Sequence, residues 1–431
     1  MSSLTLPARP CAATQALSLF VHRASECLTD HESHGDGLIC FALLNGLAAR
    51  GHDVFAYANT APIRNSSPRL RVKTERHRSP ANSLAPWEYS WRAERWLQET
   101  LGRERIDLVW RMHPYGPGCP YPPQTCGRPL VIGPLFREWP EALARKHRSA
   151  HPRYGIGLER IVQPLAARGW ERALRRASLL LCATPALTAE MQARYPQAMV
   201  RCLPVIVDAP EDAPRRRQAR EDGRLRLVFV ANLVPNKNPQ LFCELIGHLR
   251  RDGIPAEGIV LGDGPERPAL DAWRDAQGLQ DALVFQGSVP HQEVHGFLRD
   301  ADFLVSASDF EAYGRTIAEA MAVGTPCVCS ALSGGPADIV ADGEDGLLIP
   351  RLDARAYADA IGRAHADPAA WQQLSASALQ KAQSWTGEAV LSRLETWLHE
   401  ITSCQNRSLP CCGRGSGRRS VGDTLRGHAM S

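Results

Sequence analysis

The chain lacks the long apolar run that a membrane-spanning helix requires. No segment holds about eighteen consecutive uncharged apolar residues, the minimum for crossing a bilayer as a helix. The apolar run at residues 16–21 is too short for a span or for the core of a signal peptide. It predicts instead a first buried β-strand.

Strong charge and a cysteine framework are also missing. A formal net charge of +4 over 431 residues is small, whereas nucleic-acid binding usually needs a clustered basic face, so we expect no nucleic-acid partner. The thirteen cysteines are odd in number and scattered through apolar segments, with no CxxC motif. We expect small buried thiols in a reducing compartment, with no disulfide framework and no metal site.

Lysine is scarce, because the chain holds only four lysines among its fifty basic residues. A lysine in a suggestive position therefore draws more attention than an arginine would. Lys237 is such a residue, since it lies between a predicted strand and a predicted helix.

The order of apolar segments predicts two successive α/β units. The first begins with a strand at 16–22, a loop containing Gly35, Asp36 and Gly37, and a helix over about 37–50 that ends near Gly51. The polar stretch 61–85 is predicted to be loop. The expected organisation is a domain at 1–207 that begins with a loose leader at 1–15, a charged linker at 208–223, a domain at 224–383, a helix over 384–403 and a disordered tail at 404–431.

The most informative stretch runs from Ser306 to Pro350. A strand ends at Ser306, Glu311 follows in a loop, and the residues Tyr313, Gly314, Arg315 and Thr316 open a helix that contains Glu319. A helix start offers unpaired amides and a positive dipole end, which suits a diphosphate. Carboxylates suit the vicinal hydroxyls of a sugar, because they are pure acceptors.

This stretch resembles the signature of the "group 1" retaining glycosyltransferases, family 4-like enzymes marked by two glutamates with seven residues between them. The pair here is Glu311 and Glu319, and the EAMAVGTP run and the 333–338 loop agree with the signature. The resemblance implies the GT-B fold, an α/β architecture of two Rossmann-like domains with parallel sheets facing across a cleft. It also implies that Glu311 contacts the donor sugar, that Glu319 binds the ribose and that the amides of 313–316 hold the diphosphate.

The segment around Lys237 resembles a second motif of the family, in which a strand is followed by R-x4-K. Lys237 falls on the phosphate-binding lysine, and Asn232 occupies the position of the arginine. One cationic contact is therefore missing, or Arg315 or another arginine supplies it. The alternative for Lys237 is a surface lysine at a helix start.

Weaker matches complete the predicted site. Gly262 and Val289 lie in segments that resemble the nucleotide-side turns of the family, although ordinary Rossmann turns would look alike. In the first half, the 35–37 loop would face the donor, with Asp36 as a polar contact or a helix N-cap. His113 would lie near the reacting sugar, or it is a structural histidine. The run at 133–140 would help to form the acceptor side.

The predicted activity is retaining transfer from an NDP-sugar, without metal or other cofactor, to a glycan, lipid-linked or small-molecule acceptor. The alternative is a non-catalytic or regulatory sugar-nucleotide binder, which the Asn232 position favours. An NAD-dependent oxidoreductase would need a G-x-G-x-x-G fingerprint and an acidic residue after strand two, and neither is present. We expect a cytoplasmic protein, because sugar nucleotides are there.

A group of basic residues in the first half has two possible roles. They lie on helix faces that are simply solvated, or they make a peripheral contact with the inner membrane face. These are Arg145, Lys146, Arg148, Arg153, Arg160, Arg168, Arg172, Arg175 and Arg176.

Overall fold

The structure is a computed structural model of the full chain. It describes residues 15–25, 27–31, 35–75, 85–112, 125–138, 140, 159–208, 223–332 and 334–406. His113, most of the predicted leader and linker and all but the start of the predicted tail lie outside these residues.

The first unit is built on a seven-stranded parallel sheet with the strand order β3-β2-β1-β4-β5-β6-β7. Its elements in chain order are β1 (Ser18–Arg23), α1 (Gly35–Ala49), β2 (Asp53–Ala58), β3 (Leu70–Thr74), α2 (Ala85–Leu101), β4 (Leu108–Arg111), β5 (Leu130–Leu135), α3 (Glu159–Arg176), β6 (Leu179–Cys182), α4 (Pro185–Arg194) and β7 (Met199–Cys202). The three strands β4, β5 and β6 are buried along their whole length, as continuous apolar runs predict for strands covered on both faces.

The second unit is built on a six-stranded parallel sheet with the order β10-β9-β8-β11-β12-β13. Its elements are β8 (Leu225–Val230), a 3-10 turn (Pro235–Lys237), α5 (Pro239–Arg251), β9 (Ala256–Leu261), α6 (Arg267–Ala276), β10 (Leu283–Gly287), α7 (His291–Asp300), β11 (Phe303–Ser306), α8 (Arg315–Ala322), β12 (Cys327–Ser330), α9 (Gly335–Ile339), β13 (Gly346–Ile349), α10 (Ala354–Ala366), α11 (Pro368–Ala382), a second 3-10 turn (Gln383–Trp385) and α12 (Gly387–Asn406). Two parallel α/β sheets confirm the predicted fold class.

One strand contradicts the sequence prediction. The stretch 61–85 was predicted to be loop, but Leu70–Thr74 forms β3, the edge strand paired with β2. Only Leu70 in it is buried, while Arg71 and Thr74 face solvent. An edge strand buries little of its surface, so its residues resemble a polar loop in sequence.

The last helix returns to the first unit. Gly46 on α1 lies so close to α12 that a Cβ added to it would be 2.5 Å from Leu391 Cδ1. At the end of α1, Arg50 donates to Glu395 at 2.6 Å, and His52 Nε2 lies 2.9 Å from the same carboxylate. The helix continues to Asn406, a few residues into the segment predicted to be a disordered tail.

The largest buried core runs through both units. It joins α1 residues such as Leu43 and Leu47 to Leu394 and Leu398 of α12, and it also contains Ile317 of α8. Two further cores fill the other faces of the two sheets. Among the described residues, no helix has the length and apolar character needed to cross a membrane.

Candidate functional site

Two loops at the carboxyl ends of adjacent strands form the centre of the site. Strands β8 and β11 pair in parallel, so the residues that follow them meet at one edge of the sheet. The Asn238 side chain donates to the carbonyl oxygen of Ala307 at 2.9 Å and to Asp309 Oδ1 at 2.7 Å. In return, the Asp309 amide donates to the Asn236 carbonyl at 2.9 Å.

Asn238 occupies the N-cap position of α5, but its side chain does not cap the helix. The residue has a left-handed backbone, with φ of 51°. Asparagine tolerates this conformation better than most residues do. Its amide group is used to hold the two loops together instead.

Lys237 and Glu311 meet where these loops meet. The ammonium Nζ of Lys237 forms an ion pair with Glu311 Oε1, which also accepts a hydrogen bond of 3.0 Å from Ser308 Oγ. The two side chains are 20% and 26% exposed, so both are open to a ligand. A compact cation and a pure acceptor thus lie side by side, although they are 74 positions apart in sequence.

The start of α8 follows Glu311 closely in the chain. Gly314 is the N-cap, with φ of 96° and ψ of 59°, a conformation that favours glycine, and the helix begins at Arg315. The first amides of the helix, those of Arg315 and Thr316, have no acceptor within the helix itself. They and the dipole of the helix form an anion-binding feature a few residues after Glu311, the ion-pair partner of Lys237.

Glu319 lies one turn further along α8 and is nearly enclosed, with its side chain 4% exposed. Its Oε1 accepts a hydrogen bond of 2.7 Å from Arg315 Nε. Burial raises the pKa of the Glu319 carboxyl, and the Arg315 cation opposes that shift. His291, at the start of α7, lies 2.7 Å from Arg315 through its Nε2 and 3.5 Å from Glu319 Oε1.

The remaining donor-side residues have more local explanations. Asn232 is exposed on the loop after β8. Gly262 has φ of 131°, and a Cβ added to it would be 2.0 Å from the Ala231 carbonyl oxygen, so close packing of two strand ends accounts for this glycine. Val289 is half-buried and packs against the large core.

In the first unit, α1 begins at Gly35. Asp36 therefore lies in the first turn of the helix, and the suggestion that it is the N-cap is wrong. Gly37 is buried within the same turn.

A junction between the two units was not predicted from sequence. Asp338 on α9 accepts hydrogen bonds from Arg137 Nε and NH2, at 2.5 and 2.9 Å, and from Thr184 Oγ1 at 2.9 Å. Beside these residues, the rings of Phe136 and Tyr313 meet edge to face with centroids 6.1 Å apart. The 133–140 run was suggested as acceptor side, but its Arg137 joins the two units. We call Arg137, Thr184 and Asp338 the Asp338 clamp.

Two family models match adjoining parts of the chain. The model described as Glycosyl transferases group 1 matches residues 211–383, and the model described as Glycosyltransferase Family 4 matches residues 37–211. Together they span residues 37–383, which include every donor-side residue discussed above except Gly35 and Asp36.

The curated relatives include glycosyltransferases. The alpha-D-kanosaminyltransferase of Streptomyces kanamyceticus is 26% identical over 301 residues, which cover 66% of this chain and 75% of the relative. The D-inositol 3-phosphate glycosyltransferase of Frankia alni is 34% identical over 191 residues, or 42% of this chain. The match spans about half the length of that relative, 46%.

Solved structures show the same architecture. Sucrose-phosphate synthase from Thermosynechococcus elongatus superimposes with a TM-score of 0.65 at 18% identity, over 90% of this chain and all of the other. The Anabaena protein HepE, solved in complex with UDP, superimposes with a TM-score of 0.62 at 18% identity, over 89% of this chain and all of the other. With two parallel α/β units and these matches, the chain belongs to the group 1 glycosyltransferases and has the GT-B fold.

Proposed function

We propose that the protein transfers a sugar from a nucleoside-diphosphate donor to an acceptor hydroxyl with retention at the anomeric carbon. The observation that carries this proposal is the grouping of one ammonium, two carboxylates and a helix start at the carboxyl edge of the second sheet. A nucleoside-diphosphate sugar presents an anion between two groups of hydroxyls, and the site offers complementary groups for each part.

The diphosphate would bind between the first amides of α8 and Lys237. As the bond between the anomeric carbon and the diphosphate oxygen breaks, negative charge grows on that oxygen, and a fixed cation and oriented amides stabilise it. The acceptor oxygen forms the new bond on the same face of the sugar. Its proton passes to the departing diphosphate, so the step balances without a protein nucleophile or a metal.

The two carboxylates would hold the hydroxyl groups. Glu311, partly exposed beside Lys237, would accept from the donor sugar, and Glu319 would accept from the ribose. Carboxylates are suited to both tasks, since they donate no hydrogen bond and accept several. Removal of either should therefore weaken donor binding or turnover.

The test begins with calorimetric titration of the full chain with nucleoside diphosphates and NDP-sugars, using NAD as a negative comparison. Glu319→Ala should abolish donor binding or turnover, whereas Glu344→Ala, which removes an exposed carboxylate elsewhere, should leave both unchanged. Turnover should also persist in EDTA. Normal transfer by the Glu319 variant would refute the site assignment.

A non-catalytic sugar-nucleotide binder is the second candidate, because Asn232 replaces the family arginine and is exposed with no charge of its own. Mass analysis of products from a donor-by-acceptor screen separates the two functions. Binding without hydrolysis or transfer for any donor that binds would favour the non-catalytic function.

We place the activity in the cytoplasm, where sugar nucleotides occur, and infer a peripheral contact with anionic lipid through α3. Its arginines Arg168, Arg172, Arg175 and Arg176 are exposed, as is Leu165 at 48%. Each such charge adds about 1 kcal/mol near an anionic surface. Sedimentation of the protein with anionic vesicles at low salt tests this contact. The protein should sediment with the vesicles, and an Arg168→Glu/Arg172→Glu variant should not. If the unaltered protein did not bind the vesicles, a soluble acceptor would be favoured.

A further inference from the structure

A hydrogen-bonded set of three side chains joins the starts of α7 and α8. Glu319 Oε1 accepts from Arg315 Nε at 2.7 Å, and Arg315 NH2 lies 2.7 Å from His291 Nε2. We propose that Arg315 and His291 are positioning residues, which hold the Glu319 carboxylate ionised and oriented for the ribose hydroxyls. This inference rests on the proposed use of an NDP-sugar donor.

Burial makes such support necessary. The Glu319 side chain is 4% exposed, and an ionised carboxylate at that depth is costly unless a charge or hydrogen bonds compensate it. Arg315 is the only cation whose bond to this carboxylate is found among the described residues, and it reaches Glu319 from four positions earlier on the same helix. Without it, burial would favour the protonated acid, which presents one acceptor fewer to a diol.

His291 fixes the other side of the guanidinium. For Arg315 NH2 to donate to His291 Nε2, that nitrogen must be unprotonated, which leaves the ring neutral. Burial and the Arg315 cation lower the pKa of His291 to about 4, with His295 contributing in the same direction, so the ring is neutral at pH 7. The groups facing the ring are thus Arg315, Glu319 and His295.

The guanidinium is held by an acceptor on each of two helices, so it cannot turn without losing a bond. This in turn restrains the Glu319 carboxylate, because Oε1 is held by Arg315. The second oxygen, Oε2, accepts no hydrogen bond from the described residues. It is the atom left for a ligand, beside the helix start that would bind the diphosphate.

Arg315 could act instead as the cation that Asn232 fails to supply, by leaving Glu319 and binding the diphosphate directly. The two roles predict different patterns. A residue that acts through Glu319 affects recognition of the ribose, whereas a phosphate-binding arginine affects every diphosphate equally.

The experiment compares UDP, GDP and ADP with their 2′-deoxy counterparts by calorimetric titration of the full chain. In the wild type, loss of the 2′-hydroxyl should weaken binding by roughly 10- to 100-fold, as for other hydrogen bonds to a charged group. The ratio of the affinity for the nucleotide to that for its 2′-deoxy counterpart should fall to within about threefold in Arg315→Met and His291→Leu. The affinity for the deoxynucleotide should change little. His291→Gln should keep most of the ratio, because its amide oxygen can accept from Arg315.

Arg355→Met is the matched control. Arg355 also bonds through Nε to a carboxylate four positions later, Asp359 at 2.8 Å, but both side chains are at least 40% exposed. This variant should leave the ratio unchanged, and circular dichroism checks that every variant is folded. Arg315→Lys provides a second variant that retains the charge and should fall between Met and the wild type.

The outcomes are distinct. Equal weakening of nucleotide and deoxynucleotide by Arg315→Met would show direct phosphate binding and overturn the proposal, as would an unchanged ratio in both the Arg315 and the His291 variants. If the wild type bound no nucleoside diphosphate, the proposed function itself would fail.

Discussion

The Asp338 clamp should dominate the local stability of the junction between the two units. The perturbation is Asp338→Asn, which keeps the shape of the side chain and an acceptor for Thr184 but removes the charge that binds Arg137. We expect α9 to open more often in this variant, since its charge-assisted bonds to the first unit are lost.

The free energy lost in Asp338→Asn follows from how exposed Asp338 and Arg137 are. Asp338 is 8% exposed and accepts three hydrogen bonds, but Arg137 is 34% exposed, so solvent screens part of the pair. The loss should lie between the 0–1 kcal/mol typical of surface pairs and the roughly 3–5 kcal/mol of fully buried ones. We expect about 2 kcal/mol, which corresponds to a roughly 30-fold larger opening constant because about 1.4 kcal/mol is a factor of ten.

Native-state hydrogen exchange measures this opening. The reporter is the Val340 amide at the end of α9, which donates to the Pro336 carbonyl at 2.9 Å. Val228 in the central strand β8 reports global unfolding. Asp252→Asn is the control, because its pair with Arg355 is 35–49% exposed. A change below threefold at Val340, or an equal change in the control, would refute the reasoning.

Three further predictions concern single residues. Lys237→Met should lower turnover of the bound donor by about 10²–10³-fold, as loss of one group that stabilises developing charge does, and unchanged turnover in a donor-hydrolysis assay would contradict its role. Gly262→Ala should destabilise the fold by about 2 kcal/mol or more, since the new Cβ would be 2.0 Å from the Ala231 carbonyl oxygen at φ of 131°. Gly296→Ala, with nothing within 4 Å, should be neutral or stabilising, and equal melting temperatures for the two variants would show that the contact does not matter. Because burial lowers the pKa of His291 to about 4 from 6.5, the unfolded chain binds a proton that the folded chain does not, so the free energy of unfolding should fall as the pH drops from about 6.5 towards 4. His291→Gln should remove the contribution of His291 to this pH dependence, which is at most about 1.4 kcal/mol per pH unit. Identical pH profiles of the free energy of unfolding for variant and wild type, measured by urea unfolding, would contradict this prediction.

Much of the architecture was determined by local sequence. Runs such as Leu179–Cys182 and Phe303–Ser306 are apolar almost throughout, and both form interior strands of parallel sheets. A strand covered by helices on both faces must be apolar at every position, so its composition alone identifies it. The edge strand β3 was not predicted, because an edge strand is only partly buried and its residues Arg71 and Lys73 can remain polar.

The donor side was outlined by the spacing of a few residues. The two glutamates and Lys237 were identified through a family resemblance, and the structure brings Lys237 and Glu311 into an ion pair. No local sequence pattern indicated the side chains that hold these residues in place. Asn238 stands at the N-cap position of α5, yet its side-chain amide binds the neighbouring strand-end loop instead of the helix.

Only the tertiary structure decided the partners of the charged groups. Arg137 and Asp338 are 201 positions apart, and His291 meets Arg315 because α7 and α8 lie side by side. Such contacts depend on how helices and whole units pack, which the period of apolar residues does not encode. The burial that makes Glu319 depend on Arg315 arises in the same way: sequence supplies the carboxylate, and packing removes the water around it.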